Sequence, residues 1–242
     1  MTKYILVVLY VLGTYTNTAQ NLSGEELLAK AIAYHDPNGN WHTFNGQLAI
    51  TMQTPKNSDR LSEIELNLPA QYFKLQEKRN AITKTYIIDK KACVLRLNGA
   101  ETISGADQKK HNLSCDRALT MKNYYTYLYG LPMKLKDPGT HIAPQVQAKT
   151  FKGKKYLVLK VTYDENVGSD VWFFYFDPVT YALEVYQFYP EGSEHVDGNP
   201  GEYILLSGEE TIQGIKMPKT RKWYYNEDDV YLGTDTLSKT ES

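Results

Sequence analysis

Along most of the chain, apolar and polar residues alternate with the period of two that marks strands half-buried in a sheet. In GQLAITMQT (residues 46–54), Leu48, Ile50 and Met52 share one face, while Gln47, Ala49, Thr51 and Gln53 share the other. A turn is expected at PKNSD, followed by LSEIELNL with Ile64, Leu66 and Leu68 in phase, and QYFKLQEKR with Phe73 and Leu75. ITKTYIID and ACVLRLNG follow, joined by a turn at Asp89, Lys90 and Lys91. Connections this short join antiparallel neighbours, because a parallel crossover needs a dozen residues or more. The pattern resumes in FKGKKYLVLKVTY, DVWFFYFDPVTYALEVYQFY, GEYILLSGEETIQGIKMPKTRKWYYN and YLGTDTLS. A hairpin is expected at Asp177, Pro178, Val179 and Thr180, another turn at Gly214, and a terminal hairpin turn at Asp228 and Asp229.

Two segments break the alternation. Leu27, Leu28, Ala31, Ile32 and Tyr34 recur at helical spacing behind Ser23, a predicted N-cap with Glu26 completing a capping box; Pro37 and Gly39 end this helix at DPNG. In CDRALTMKNYYTYLYGLPMKL, Leu119, Tyr124, Tyr127, Leu128 and Leu131 predict a helical excursion stopped by Gly130 and Pro132, placed to lie over one face of the sheet. The fold class expected is α+β: a strongly curved antiparallel sheet, a half-barrel, with an N-terminal helix and a helical excursion covering the concave face.

The stretch VWFFYF (residues 171–176) departs from the rule that a sheet with one wet face carries polar residues at alternate positions. Both faces of this strand are expected to be covered, by protein or as an aromatic wall of a ligand cavity.

The N-terminus has a different character. Lys3 precedes the apolar run YILVVLYVL and the small polar stretch GTYTNTAQ, the order of a secretory signal peptide, and the run is too short to span a membrane. A leader is expected at residues 1–19, with residues 20–242 as a single domain. No cysteine follows the apolar run as a site for lipid attachment, so the expected location is periplasmic or secreted, and the expected product a soluble monomer. Loss of Lys3 moves the formal net charge from −1 to −2. A near-neutral chain without a basic segment lacks the footprint of a nucleic-acid or anionic-membrane binder. Twenty tyrosines and three tryptophans suit strands and half-exposed surfaces.

Candidate chemistry is sparse. Cys93 and Cys115 are the two cysteines; in an oxidising compartment they are a disulfide candidate, with buried thiols or a metal site recruiting His111 as alternatives. In YHDPNGNW, His35 next to Asp36 offers a weak base-carboxylate pair, against a helix-ending turn with a packed histidine. His42, His111, His141 and His195 are dispersed, and the acidic loop with Glu191, Glu194, Asp197 and Glu202 fits no EF-hand spacing. No GxSxG, phosphate-cradling glycine loop or dinucleotide fingerprint occurs. No metal, cofactor or catalytic residue is therefore assigned.

The segments YHDPNGNW, YLYGLPMKL, VWFFYFDPVTYALEVYQF and EYILLSGEETIQGIKMPKTRKWYYN together resemble an uncharacterised family of secreted bacterial proteins, across nearly the whole mature chain. The order of helix, meander, helical excursion around GLP, FDPxT hairpin and final GxKxP strand more loosely resembles the periplasmic lipoprotein carriers of the LolA/LolB type. That second resemblance implies an incomplete barrel whose concave face receives acyl chains, although the arginine such carriers use near the cavity mouth matches no single residue here. The ligand-binding residues it implies are Trp41, Leu48, Ile50, Leu66, Phe73, Trp172, Phe174 and Phe176, with Tyr124, Tyr127, Leu128 and Leu131 in a lid. The function expected is non-enzymatic carriage of a hydrophobic small molecule or acyl chain. A small secreted hydrolase or glycan-active enzyme, and an envelope module with a protein partner, are the alternatives.

Overall fold

The computed structural model describes residues 22–193 and 200–238, so the leader expected at residues 1–19 lies outside it, as do Glu194, His195 and Asp197. Helix α1 (Gly24–His35) leads into a 3₁₀ turn at Trp41–Thr43 and a meander of β1 (Asn45–Thr54), β2 (Asn57–Asn67), β3 (Tyr72–Arg79), β4 (Ile82–Asp89) and β5 (Ala92–Leu97). Helices α2 (Gly105–His111) and α3 (Cys115–Gly130) follow, then a second 3₁₀ turn at Met133–Lys136. The chain continues through β6 (Thr140–Ile142), β7 (Gln147–Phe151), β8 (Lys154–Tyr163), β9 (Val171–Phe176) and β10 (Leu183–Tyr189). It ends in β11 (Glu202–Ile212), β12 (Ile215–Tyr225) and β13 (Tyr231–Ser238).

All thirteen strands among the described residues join one antiparallel sheet, in the order β5-β4-β3-β2-β1-β13-β12-β11-β10-β9-β8-β6, with β7 also on β8. The ends β5 and β6 do not pair, so the curved sheet stays open as expected for a half-barrel. The seam is β1 against β13, with Ile50 opposite Leu237 and Met52 opposite Asp235. It places the first and last strands at the centre of the sheet.

Three local expectations change. Strand β2 begins at Asn57, so the turn expected over PKNSD is only Pro55 and Lys56. The run FKGKKYLVLKVTY is two strands, because Lys152 and Gly153 adopt positive φ and turn β7 into β8. Helix α2, β6 and β7 stand where no periodic signal is present, being short and largely exposed.

The expected helix caps are present. Ser23 accepts from the Glu26 N–H while the Glu26 carboxylate accepts from the Ser23 N–H at 2.8 Å. Ser114 caps α3 by accepting from Arg117 N at 3.0 Å. The FDPVT loop is an Asx turn in which the Asp177 carboxylate accepts from Val179 N and Thr180 N, both at 2.9 Å.

Alternate residues of β9 point to opposite sides. Phe174 and Phe176 are buried under α1 and α3 with the main core, while Val171, Phe173 and Tyr175 form a second cluster with Tyr156, Val158 and Val185 on the outer face. That outer cluster is covered by neighbouring side chains, including the Lys149 ammonium 4.5 Å from the Phe173 ring centroid. The covering of both faces read from VWFFYF is therefore provided by protein.

Helix α3 is tied to the sheet edge by a disulfide between Cys93 of β5 and Cys115 in its first turn. Its other end is set by Gly130, where a Cβ would fall 2.3 Å from Trp41 Cζ2, so the indole packs directly on helix backbone. The bond closes a loop of 22 residues. A loop of that size is worth about 3 kcal/mol by chain entropy. Replacing both cysteines by serine is expected to lower stability by that amount in urea denaturation, with hydrogen exchange rising first in α3.

Candidate ligand-binding site

The concave face is built from residues two apart on each strand. It carries Leu48, Ile50 and Met52 of β1, Arg60, Ser62, Ile64 and Leu66 of β2, and Phe73, Leu75 and Glu77 of β3. The other half brings Trp172, Phe174 and Phe176 of β9, Tyr186 and Phe188 of β10, Arg221 and Trp223 of β12, and Asp235 and Leu237 of β13. Most of this surface is apolar and lies in one core cluster. Arg60, Glu77, Arg221 and Asp235, with Lys84 of β4 opposite Glu77, are its acidic and basic residues.

Those charges follow cross-strand rows. Arg60, Met52, Asp235 and Arg221 are successive partners across β2, β1, β13 and β12, at about 4.8 Å per strand. In the adjacent row Lys84, Glu77, Ser62, Ile50 and Leu237 cross β4, β3, β2, β1 and β13. Glu77, 3% exposed, lies between two cations, with Arg60 Nη1 3.4 Å from Oε1 and Lys84 Nζ 2.9 Å from Oε2.

Helix α3 lies above these rows and presents tyrosines to them. Tyr125 donates to Ser62 Oγ at 3.2 Å and accepts from Arg60 Nη2 at 3.2 Å. Burial pushes its phenol up to about 12. Tyr127 meets Tyr163 hydroxyl to hydroxyl and packs edge-on against Trp172, ring centroids 5.8 Å apart. Arg221 is fully buried; its guanidinium lies 3.9 Å from the Tyr129 ring centroid, and Nη2 donates to the Leu128 carbonyl at 3.1 Å. A strand side chain thus holds the backbone of the covering helix.

Asp235 is 1% exposed, and its Oδ1 has no hydrogen-bond partner among the described residues. Burial raises its pKa to about 6, against the pull of Arg221 and Arg60. It floors a cavity of about 230 Å³ lined also by Met52, Tyr124, Glu202, Trp223 and Leu232. A second cavity, of about 370 Å³, opens over β2, β3 and β4 and is walled by Arg60, Glu77, Arg79, Lys84, Lys110 and His111.

Of the residues expected to bind ligand, Trp41, Leu48, Ile50, Leu66, Phe73, Leu128, Leu131, Phe174 and Phe176 are buried together in the main core. Tyr127 and Trp172 pack partly buried against it, and Tyr124 reaches the smaller cavity. Arg60, Glu77, Arg221, Trp223 and Asp235 were missed. Their signal was nevertheless in the pattern: Arg221 keeps phase with Ile215 and Met217, Glu77 with Phe73 and Leu75, and Asp235 with Leu237. A charge at an inward position marks a residue that needs a buried partner.

His35 is a structural link. Its Nδ1 lies 2.7 Å from the Lys216 carbonyl and Nε2 accepts from Leu183 N at 2.9 Å, tying α1 to β12 and β10. Burial lowers its pKa, which keeps the ring neutral. The Asp36 carboxylate instead accepts from the N–H groups of Asn40 and Trp41. The helix-ending turn with a packed histidine is thus the reading that holds. Among the described residues no group of three or more His, Cys, Asp or Glu stands close enough to hold a metal, and no helix is long and apolar enough to cross a membrane.

An open curved sheet closed by a helix over a largely apolar face defines the architecture. The chain belongs to the Family of unknown function (DUF6503), whose model matches residues 3–240. No curated protein matches it. Among solved structures it is similar to a LolA superfamily protein from Nitrosomonas europaea, with a TM-score of 0.49 and 11% identity over 91% of this chain and 94% of that chain. It is also similar to a DUF1329 family protein from Desulfovibrio piger, with a TM-score of 0.48 and 8% identity over 89% of this chain and 91% of that chain.

The buried Asp235 sets a pH dependence. Its folded pKa lies above the unfolded value, so the folded state holds this proton more tightly. Stability contributed by the neutral form is present below about pH 4 and is lost as pH rises through about 6, about 3 kcal/mol in all. In urea denaturation across this range, the stability difference between Asp235→Asn and the parent should rise with pH by roughly that amount. A flat difference would mean that Asp235 keeps an ordinary carboxylate pKa in the fold.

Proposed function

We propose that the protein is an exported, non-enzymatic binding or carrier protein for a hydrophobic, lipid-like ligand such as an acyl chain, working in the periplasm or outside the cell. The reading is supported above all by helix α3 spanning the concave face of an open sheet, with an apolar-walled cavity at its edge. That cavity, about 230 Å³, is lined by Met52, Tyr124, Trp223 and Leu232. Ligand pockets start at about 300 Å³, and in this reading the smaller cavity serves as a vestibule. A long chain is seated when α3 lifts and its methylenes replace the helix against Trp172, Phe174, Phe176, Leu48 and Ile50. Each buried CH₂ then contributes about 0.8 kcal/mol.

The lid in this reading is Tyr124, Tyr127, Leu128 and Leu131, and the deep wall includes Trp41, Leu66 and Phe73. The cargo site needs no reacting group, since burial of methylenes supplies its affinity. Protein purified from its native envelope is expected to release a lipid-like mass on native mass spectrometry and solvent extraction, and the emptied protein to bind a fluorescent fatty acid. Tyr124→Arg, which places a charge in the vestibule, should weaken that binding at least about tenfold while leaving the circular dichroism spectrum unchanged. No extractable lipid together with no fatty-acid binding would overturn the reading.

A further inference from the structure

The larger cavity has a different chemistry. Its walls bring Arg60 from β2, Arg79 from β3, Lys84 from β4, and Lys110 and His111 from the end of α2 around about 370 Å³, with Glu77 as their carboxylate. Glu77 is already engaged by Arg60 and Lys84. Four permanent cations facing one carboxylate leave a surplus of about three positive charges within one concavity.

Part of the donor capacity is also unspent. The Nε–H groups of Arg60 and Arg79 are buried and have no acceptor among the described residues, although guanidinium N–H groups are strong, directional donors. Arg79 sits opposite Ile82 near the β3–β4 turn, with both residues at the cavity wall. Lys110 and His111 occupy the last turn of α2, where a cation suits the helix dipole; that accounts for their presence on α2. It does not account for Arg79, a strand residue that shares the cavity with three other cations.

We propose that this cavity is a binding site for a phosphate group, held by the Arg60 and Arg79 guanidiniums and by the ammonium groups of Lys84 and Lys110. Arginine suits this role because its planar fork matches phosphate oxygens. The site adjoins the apolar vestibule: Arg60 and Met52 are cross-strand partners, one lining each cavity, and Tyr124 and Tyr125 of α3 stand beside them. Resting on the carrier reading, the phosphate is the headgroup of an amphiphile whose chains enter beneath α3. A free phosphate or soluble phosphate ester would use the same donors.

Calorimetric titration of the full mature protein separates these cases, with inorganic phosphate, dihexanoyl phosphatidate and uncharged dihexanoylglycerol as probes against chloride of matched ionic strength. Saturable binding of phosphate and phosphatidate is expected, weakened about tenfold or more by Arg79→Gln and several-fold by the exposed Lys110→Gln. Lys152→Gln, on the other side of the molecule, should change neither. Phosphatidate binding tighter than phosphate identifies a lipid headgroup, and equal affinities identify a soluble phosphate; both support the site. The proposal is overturned if neither anion binds above the chloride control, or if Arg79→Gln and Lys110→Gln bind like the parent. Equal binding of phosphatidate and dihexanoylglycerol, indifferent to Arg79→Gln, removes the phosphate site and leaves the carrier reading standing. Phosphate binding with no uptake of either lipid does the reverse.

Discussion

The structure depends on how the helix that closes the sheet is satisfied from below. Helix α3 covers a concave face of aromatic and aliphatic side chains, yet the residues it turns inward include Tyr124, Tyr125, Tyr127 and Tyr129. Tyrosine contributes a large apolar body and a hydroxyl that must find a partner when buried. For Tyr125 and Tyr127 the partners are inward-facing polar residues of the sheet, Ser62 and Arg60 for the first and Tyr163 for the second; Tyr129 offers its ring face to the Arg221 guanidinium, and its hydroxyl has no hydrogen-bond partner among the described residues. An all-apolar concave face would leave the Tyr125 and Tyr127 hydroxyls unpaired as well, at about 1–3 kcal/mol each. The charged rows and the tyrosine helix therefore require one another.

The β1–β13 seam makes that mutual requirement global. Arg60, Met52, Asp235 and Arg221 come from strands far apart in the chain and meet only because the first and last strands pair at the centre of the sheet. A change at Arg221 therefore reaches α3 through the Leu128 carbonyl, and Asp235 and Arg60 through the shared field. Polar networks of this kind couple their members more strongly than separate contacts do. The outer face has its own smaller version, in which the Tyr175 hydroxyl, the Gln187 amide and Asn226 form a hydrogen-bonded chain behind the second aromatic cluster.

Strands, hairpins and the two longer helices were legible because they obey local rules. Alternation marked β1 to β5, Ser23 and Glu26 marked the start of α1, and Asp177 with Pro178 marked the β9–β10 hairpin. Short edge elements were not legible: β6 has three residues and β7 five, and their signal is pairing with β8 rather than burial of a periodic face. At the site, the apolar residues of the concave face could be read from phase alone. The partnership of Arg60, Glu77, Arg221 and Asp235 could not, because it is set by register between strands distant in sequence. Their inward phase was visible, and it marked a departure from an ordinary core.

That departure bears on how firmly the covering helix is held. Opening an apolar interface exposes area at about 25 cal/mol per Å² with nothing returned. Opening one that contains Arg221 and Asp235 restores hydration to groups whose burial carries a desolvation cost, so part of the apolar loss is offset. The hydrogen bond from the Arg221 guanidinium to the Leu128 carbonyl, with a charged donor, contributes about 1.5–3 kcal/mol net against exchange with water. The disulfide at Cys115 fixes the first turn of α3 while the Tyr125 to Gly130 end rests on this polar seam. Leu128 and Leu131, buried in the core, and the Gly130 backbone packed on Trp41 hold that end too, so the two ends of α3 are secured by different means: a covalent bond at one, mixed apolar and polar packing at the other.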